Sequence, residues 1–406
     1  MSVAVVHRVS IYPLSIPLRS RITHAASRRS TADPVVVAVE LTNGIIGYGE
    51  TLPRSYVTGE TVESVIRSIQ STFGAALIGF HAESFPEALE LIEALPWNDD
   101  KERPVAAART AVELALLDAT LRAFRRDMDA VVQWMGLPGF GSPGSLRHIR
   151  FSGVVASDVA TSLRQLRLMY WGGLRHFKLK VGTPGDREHL ELVCAYLRRP
   201  LAKGRVTLRI DANGAWTKDS ASEWLSATAH LPYFAVEQPL PRGREDDLSE
   251  LPVSIADASS RRLKPAARIL VHDESLVTID DAQHLIELGV ADAFNIRISK
   301  CGGLIPSLRL AALARRHEVG IQLGCMVGET SILSAAGLRF LEVCPGVEWA
   351  EGCFGSFLLS ADVAKKQLRF GYGGRPPTLR GPGLGVTVDP ACLVELCEAA
   401  PVVINL

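Results

Sequence analysis

His176-Phe-Lys-Leu-Lys180, then Val206-Thr-Leu-Arg-Ile-Asp211, then Tyr233-Phe-Ala-Val-Glu237 are three short apolar runs, each carrying charge at its C-terminal end. The same design continues at Ile269–Asp273 and at Ala293–Ile298, where Lys300 follows two residues later. Working outward, further runs occur at Ile149–Val155, Val319–Leu323 and Val347–Glu351, with helical stretches such as 187–198 and 307–316 between them. Eight strand-like segments alternating with helices over about 200 residues predict a (β/α)8 barrel in an α/β protein. A doubly wound sheet would need a phosphate-cradling turn after an early strand. The glycine-rich Gly371-Tyr-Gly-Gly374 lies near the chain end and lacks that spacing.

The first third reads differently. Val3–Leu18, Pro34–Leu41 and Ile45–Glu50 are β-branched segments, the last two joined by Thr42-Asn43-Gly44, a hairpin signal. Val62, Ile66, Ile69 and Phe73 then mark one helix face, and helices are expected over 85–95 and 104–125. This predicts an α+β capping domain over residues 1–145, with the Pro/Gly-rich Leu137–Ser145 as linker. The barrel would span 146–360, and 361–406 would form a tail packing back on the cap.

Composition narrows the function. The 406 residues balance 44 Lys plus Arg against 44 Asp plus Glu, so the chain lacks the basic excess that nucleic-acid or membrane-surface binding uses. Seven cysteines without a CxxC pair suit free thiols in a reducing compartment. The N-terminus has no signal-peptide pattern and no apolar run approaches a membrane span, so a cytoplasmic location is expected.

Strand ends at the C-terminal face are where such barrels build active sites. Lys178, Asp211, Glu237, Asp273 and Lys300 follow one another at separations of 33, 26, 36 and 27 residues, each suited to one βα repeat. Asp211, Glu237 and Asp273 would place three carboxylates in one cup, where like charge demands a neutralising cation. Hard oxygen donors with open positions suit Mg²⁺, and no His or Cys stands at these positions to favour a softer metal. Singly, each acid could be an ordinary strand-end residue. Lys178 and Lys180 are two apart and so share a strand face. Paired ammonium groups near a divalent cation are expected to depress one another's pKa, yielding a general base.

Taken in order, Lys178-Leu-Lys180, Asp211-Ala-Asn213, Glu237-Gln-Pro239, Asp273-Glu-Ser275 and Lys300-Cys-Gly-Gly303 resemble the enolase superfamily, and within it the muconate-lactonizing-enzyme subgroup. Gly47-Tyr-Gly-Glu50, Glu113–Asp118 and Gly381–Gly385 resemble that family's capping and tail patterns. The resemblance implies that Mg²⁺ on Asp211, Glu237 and Asp273 binds a substrate carboxylate and stabilises the enediolate formed when a lysine removes the α-proton. It assigns Lys180 as base on one face and Lys300 as acid or base on the other. Lys178 would tune Lys180 and hydrogen-bond the carboxylate. The partner would be a small-molecule carboxylate, and the assembly a homo-oligomer.

The same resemblance points to an isomerase, either a racemase/epimerase or a cycloisomerase, with β-elimination as in o-succinylbenzoate synthase the alternative. A class I aldolase using Lys300 and a non-catalytic metal-binding barrel remain as other classes. Substrate contacts are expected from His24 and Tyr56 in cap loops, from Asn213, and from Glu351 at the eighth strand. The dipeptide epimerases' Asp-x-Asp is missing from Glu348-Trp-Ala-Glu351, and Glu329 and Glu351 are each displaced from the cycloisomerase pattern.

Overall fold

A computed structural model describes residues 3–24, 27–155, 159–253 and 268–406. The first third of the chain folds into antiparallel strands. They are β1 (Ala4–Pro13), β2 (Ile16–His24), β3 (Ser27–Ala32), β4 (Val35–Leu41), β5 (Ile46–Thr51) and the short β6 (His81–Ala82). The main sheet includes β1, β4, β5 and β6, and β2 and β3 form a separate pair. The predicted single segment Val3–Leu18 divides at Leu14-Ser15: β1 joins the main sheet, whereas β2 turns away to pair with β3.

Segments largely buried on both faces form the parallel sheet: β7 (Gly153–Val155), β8 (His176–Lys180), β9 (Thr207–Asp211), β10 (Ala235–Glu237), β11 (Ile269–His272), β12 (Ala293–Ile296), β13 (Gly320–Leu323) and β14 (Val347–Ala350). They pair in sequence order, and a parallel bridge between Phe151 and Ala350 joins the two ends. The predicted (β/α)8 barrel is therefore present. Each strand starts within four residues of its expected position, and the largest shift is in the first. A final strand, β15 (Val402–Asn405), returns to β1 with Arg8 opposite Asn405 and Ile11 opposite Val402. The cap sheet thus runs β15-β1-β4-β5, with chain from both ends. Among the described residues no helix is long and apolar enough to cross a membrane.

One helix joins the two sheets. Ala106–Ala123 is buried on nearly every residue because β4 and β5 cover one side and the barrel the other. Its alanines let β5 approach very closely. A Cβ on Gly47 would lie 2.2 Å from the Ala115 oxygen, and one on Gly49 would lie 2.0 Å from the Ala111 oxygen. These glycines make room for backbone, not for a turn. Gly49→Ala is expected to lower stability by about 3 kcal/mol or more, since neither backbone can yield. A thermal midpoint within about 2 °C of wild type would contradict this packing account.

Buried glutamates close helix ends, two of them, Glu50 and Glu113, across the seam between cap and barrel. Glu50 accepts from Thr330 N at 2.8 Å and Leu333 N at 2.9 Å, opening the helix Ser331–Val343. Glu60 accepts from Ala107 N and Ala108 N, and Glu113 from Ile305 N at 2.8 Å. Burial pushes all three carboxyls up to about 7 from an ordinary 4.5. A carboxyl raised in the folded chain contributes stability that is complete below its unfolded value and lost as pH rises through its folded value. Stability is therefore expected to fall between about pH 5 and pH 7.5. Glu113→Gln should make that fall shallower by up to about 1.4 kcal/mol per pH unit. Parallel slopes in denaturant titrations of the two proteins would contradict the assignment.

Candidate active site

Strand register brings the first three site residues to one level. Lys180 lies opposite Asp211, and Asp211 opposite Glu237, across the β8-β9-β10 ladder. Lys180 and Lys178 share a face because their separation of two residues matches the pleat. The Lys180 ammonium reaches Asp211 Oδ2 at 2.6 Å and Asn213 Oδ1 at 2.8 Å. Lys178 sits deeper, 3.2 Å from Asp211 Oδ2, 3.1 Å from Glu237 Oε1 and 2.9 Å from Glu351 Oε2.

Asp273 follows β11, and Lys300 lies in the turn after β12. The Lys300 ammonium is fully buried, donating to the carbonyls of Leu276 at 2.7 Å and of Asp273, and lying 3.0 Å from Asp273 Oδ1. The three lysines and three acids of the sequence pattern thus meet in one network, with Lys180 at the end of β8 and Lys300 beyond β12, the three acid-bearing strand ends between them. Lys180 is the most open of the three lysines, its side chain 17% exposed.

The electrostatics depart from one expectation. Burial acts to lower Lys178, but Glu237, Glu351 and Asp211 outweigh it and hold the ammonium well above the ordinary lysine range. The adjacent lysine does not depress it, because more carboxylates than cations face it. Burial acts to raise Asp211, yet Lys180 and Lys178 outweigh that and keep the carboxyl well below its usual range. Lys300 behaves oppositely. Burial pulls its pKa down to about 8, with Arg297 adding to the effect.

Several contributors escape a motif-based reading. Arg297 pairs with Asp273 and lies 3.7 Å from Glu237 Oε1. Asn295 Nδ2 and Gln322 Nε2 donate to the two Glu237 oxygens at 2.8 and 3.1 Å. Arg209, wholly buried, donates to Glu351 Oε1 at 3.0 Å. The available signal was parity. Arg209 stands two before Asp211, and Asn295 and Gln322 are polar residues inside otherwise apolar strands.

The residues expected to touch substrate are placed as follows. Asn213, at a left-handed φ of 48°, accepts from Lys180 and donates to Glu274 Oε1 at 3.2 Å, so it holds the lysine. Glu351 is engaged by Lys178 and Arg209. Tyr56 is 39% exposed in the turn beyond β5, where the neighbouring Arg54 donates to Val327 O at 3.2 Å. His24 ends β2, and its side chain lies outside the described residues. Glu329 lines a narrow cavity with Arg297, Cys325, Ser334, Glu351 and Cys353, and burial pushes its carboxyl up to about 8.

Could these residues hold a divalent cation? Among the described residues no three carboxylate, imidazole or thiolate groups stand together as a ready cage. Lys178 lies between Asp211 and Glu237, and Arg297 between Glu237 and Asp273. The donor chemistry nevertheless fits. Three carboxylates stand at the ends of consecutive strands, and Asp273 Oδ1, 3.0 Å from Lys300 Nζ, is buried without a hydrogen bond.

Residues 7–136 match the model of the mandelate racemase/muconate lactonizing enzyme N-terminal domain, and residues 160–392 match the enolase C-terminal domain-like model. The N-succinyl-L-Arg/Lys racemase of Bacillus cereus is 29% identical over 343 residues, covering 84% of each chain. The L-Lys-D/L-Arg epimerase of Methylococcus capsulatus is 30% identical over 383 residues, 93% of this chain and 97% of that protein. Muconate cycloisomerase 1 of Rhodococcus opacus is 28% identical over 382 residues, 90% and 91%. The crystal structure of N-succinyl Arg/Lys racemase from Bacillus cereus superimposes with a TM-score of 0.82 at 24% identity, covering 98% of this chain and 100% of that one.

The buried Arg209–Glu351–Lys178 chain carries its own test. Glu351→Leu strands a buried guanidinium and should cost about 3–5 kcal/mol. Arg209→Met leaves Glu351 paired with Lys178 and should cost clearly less. The reverse order of denaturation midpoints would contradict the pairing.

Proposed function

The chain belongs to the mandelate racemase/muconate lactonizing enzyme family and is an isomerase of the enolase superfamily, and on that premise we propose that it racemises or epimerises a small α-substituted carboxylate. The observation that carries this reading is the placement of Lys180 at the end of β8 and Lys300 beyond β12, with the three acid-bearing strand ends between them. Two amines flanking one α-carbon permit a proton to leave one face and return on the other.

A divalent cation, Mg²⁺ by preference, held by Asp211, Glu237 and Asp273 would fix the substrate carboxylate and offset the negative charge that develops on losing the α-proton. The chain's own groups do the rest. Lys180 Nζ, steered by Asn213 Oδ1, takes the α-proton as the C–H bond breaks. Lys300 Nζ returns a proton to the opposite face, re-forming C–H, and in the reverse direction the lysines exchange roles. Lys178 stays protonated among its carboxylates and supplies fixed positive charge beside the substrate's carboxylate.

Glu351 bears on the substrate class. Because it is committed to Lys178 and Arg209, β14 offers no spare carboxylate at this position to grip an α-ammonium. An N-acylated amino acid, whose nitrogen is uncharged, suits this better than a free dipeptide. The similarity to an N-succinyl-L-Arg/Lys racemase agrees with that choice. The 28% identity to a muconate cycloisomerase supports a second reading, intramolecular lactone formation, which needs only one of the two lysines.

N-succinyl-L-arginine and N-succinyl-D-arginine with Mg²⁺ in D2O distinguish these readings. The wild-type enzyme should incorporate α-deuterium into both and interconvert them. Lys180→Ala and Lys300→Ala should each lower racemisation by about 10²–10⁴-fold while each retains exchange with one antipode. Failure of N-acylated amino acids to exchange, together with lactone formation from cis,cis-muconate, would overturn the racemase reading.

A further inference from the structure

The turn that carries Lys300 is held more by the cap than by the barrel. Thr110, buried in the helix Ala106–Ala123, has its hydroxyl 3.1 Å from the Ser299 carbonyl and 3.2 Å from that of Ile298. Its one proton is shared between these and the Ala106 carbonyl at 2.9 Å. The Ser299 carbonyl belongs to the peptide that begins Lys300. On the other side of that residue, Ser299 Oγ lies 2.9 Å from Thr51 Oγ1 and accepts from Leu52 N at 3.1 Å. Beyond the lysine, Arg109 donates to the Gly302 carbonyl, and Glu113 accepts from Ile305 N.

Space is as tight as the bonding. A Cβ on Gly302 would come within 2.6 Å of the Trp97 ring, and one on Gly303 within 2.5 Å of the Glu113 carboxylate. Arg109, Thr110 and Glu113 all reach the Lys300 turn from one helix. Among the described residues no cap side chain hydrogen-bonds to β8, whose backbone pairs with β7 and β9 within the barrel. The backbone that carries Lys300 is therefore tied to the cap as well as to the barrel, whereas that of Lys180 is set within the barrel.

We propose that Thr110 is a positioning residue for Lys300, through which the capping domain sets the reach of one proton-transferring lysine and not the other. The inference rests on the two-lysine reading above. Active-site groups displaced by about 1 Å can lose on the order of 10²-fold in rate. A small shift of the Ser299–Lys300 peptide should therefore appear on one substrate face only. A residue that merely stabilised the fold would affect both faces together.

The test uses the full-length enzyme with Mg²⁺ and the two N-succinylarginine antipodes in D2O, the Lys300 face being identified with Lys300→Ala. Thr110→Val keeps the shape but removes the hydroxyl. It should slow exchange on the Lys300 face by about tenfold or more, leave the other face within about twofold, and leave KM nearly unchanged. Thr110→Ser should restore most of the loss. Equal loss on both faces, or none on either, overturns the proposal. A second readout does not need a substrate. Amide hydrogen exchange at Lys300 and Cys301, whose N–H groups both donate to Arg297 O at 3.0 Å, should accelerate in Thr110→Val. The amides of β8 should not change. If neither antipode exchanges in the wild type, the substrate reading fails while amide protection still decides the clamp. Unchanged protection at Lys300 then overturns it.

Discussion

Carboxylates buried side by side at strand ends cannot all stay ionised unless cations are interleaved among them, and the barrel mouth is arranged around that constraint. Asp211, Glu237, Asp273 and Glu351 are almost fully buried, and each is in contact with Lys178, Arg209, Arg297 or another basic side chain. In a medium of low effective dielectric, removing one member leaves an uncompensated charge, so the set behaves as a unit. On the proposed reading, the carboxylates would hold a divalent cation and the lysines would face the charge that develops on the substrate. Neutrality over the whole chain, 44 basic against 44 acidic residues, thus hides a local order in which three consecutive acid-bearing strand ends are interleaved with Lys178, Arg209 and Arg297.

The cap makes that order possible on the far side of the barrel. Glu50, Glu60 and Glu113 each accept from backbone N–H groups in the first turn of a helix, where the helix dipole also favours a carboxylate. For Glu50 and Glu113 the helix belongs to the barrel, so docking of the cap and closure of those helix ends are one event. The close approach of Gly47 and Gly49 to an alanine-rich helix allows the polar stripe Arg109, Thr110 and Glu113 to reach the turn bearing Lys300. Sequence, packing and the position of a reacting amine are linked through a pair of absent methyl groups.

Most of the architecture was legible because it rests on local rules. Strand-end charges recur at one βα repeat, and period-two parity put Lys178 and Lys180 on one face. What escaped depends on three-dimensional neighbours. Arg297 reads in sequence as one more basic residue near Lys300, and only the barrel's curvature sets it against Asp273 and Glu237. Thr110 is an unremarkable helical threonine until the cap docks. The sign of the Lys178 shift was misjudged for the same reason: the neighbour two residues away was visible, whereas Glu351, arriving from the last strand, was not. The partners of Glu351 were equally hidden, because Lys178 and Arg209 arrive from β8 and β9.

The central claim is that Lys180 and Lys300 stand on opposite faces of one substrate carbon. A crystal structure of the enzyme with Mg²⁺ and an α-methylated N-acyl amino acid, which cannot lose an α-proton, tests it most directly. The account predicts the α-carbon between the two ammonium groups, within about 3–3.5 Å of each reacting position, with the carboxylate turned toward Asp211, Glu237 and Asp273. Both lysines on the same side of that carbon, or the carboxylate bound away from the three acids, would contradict it.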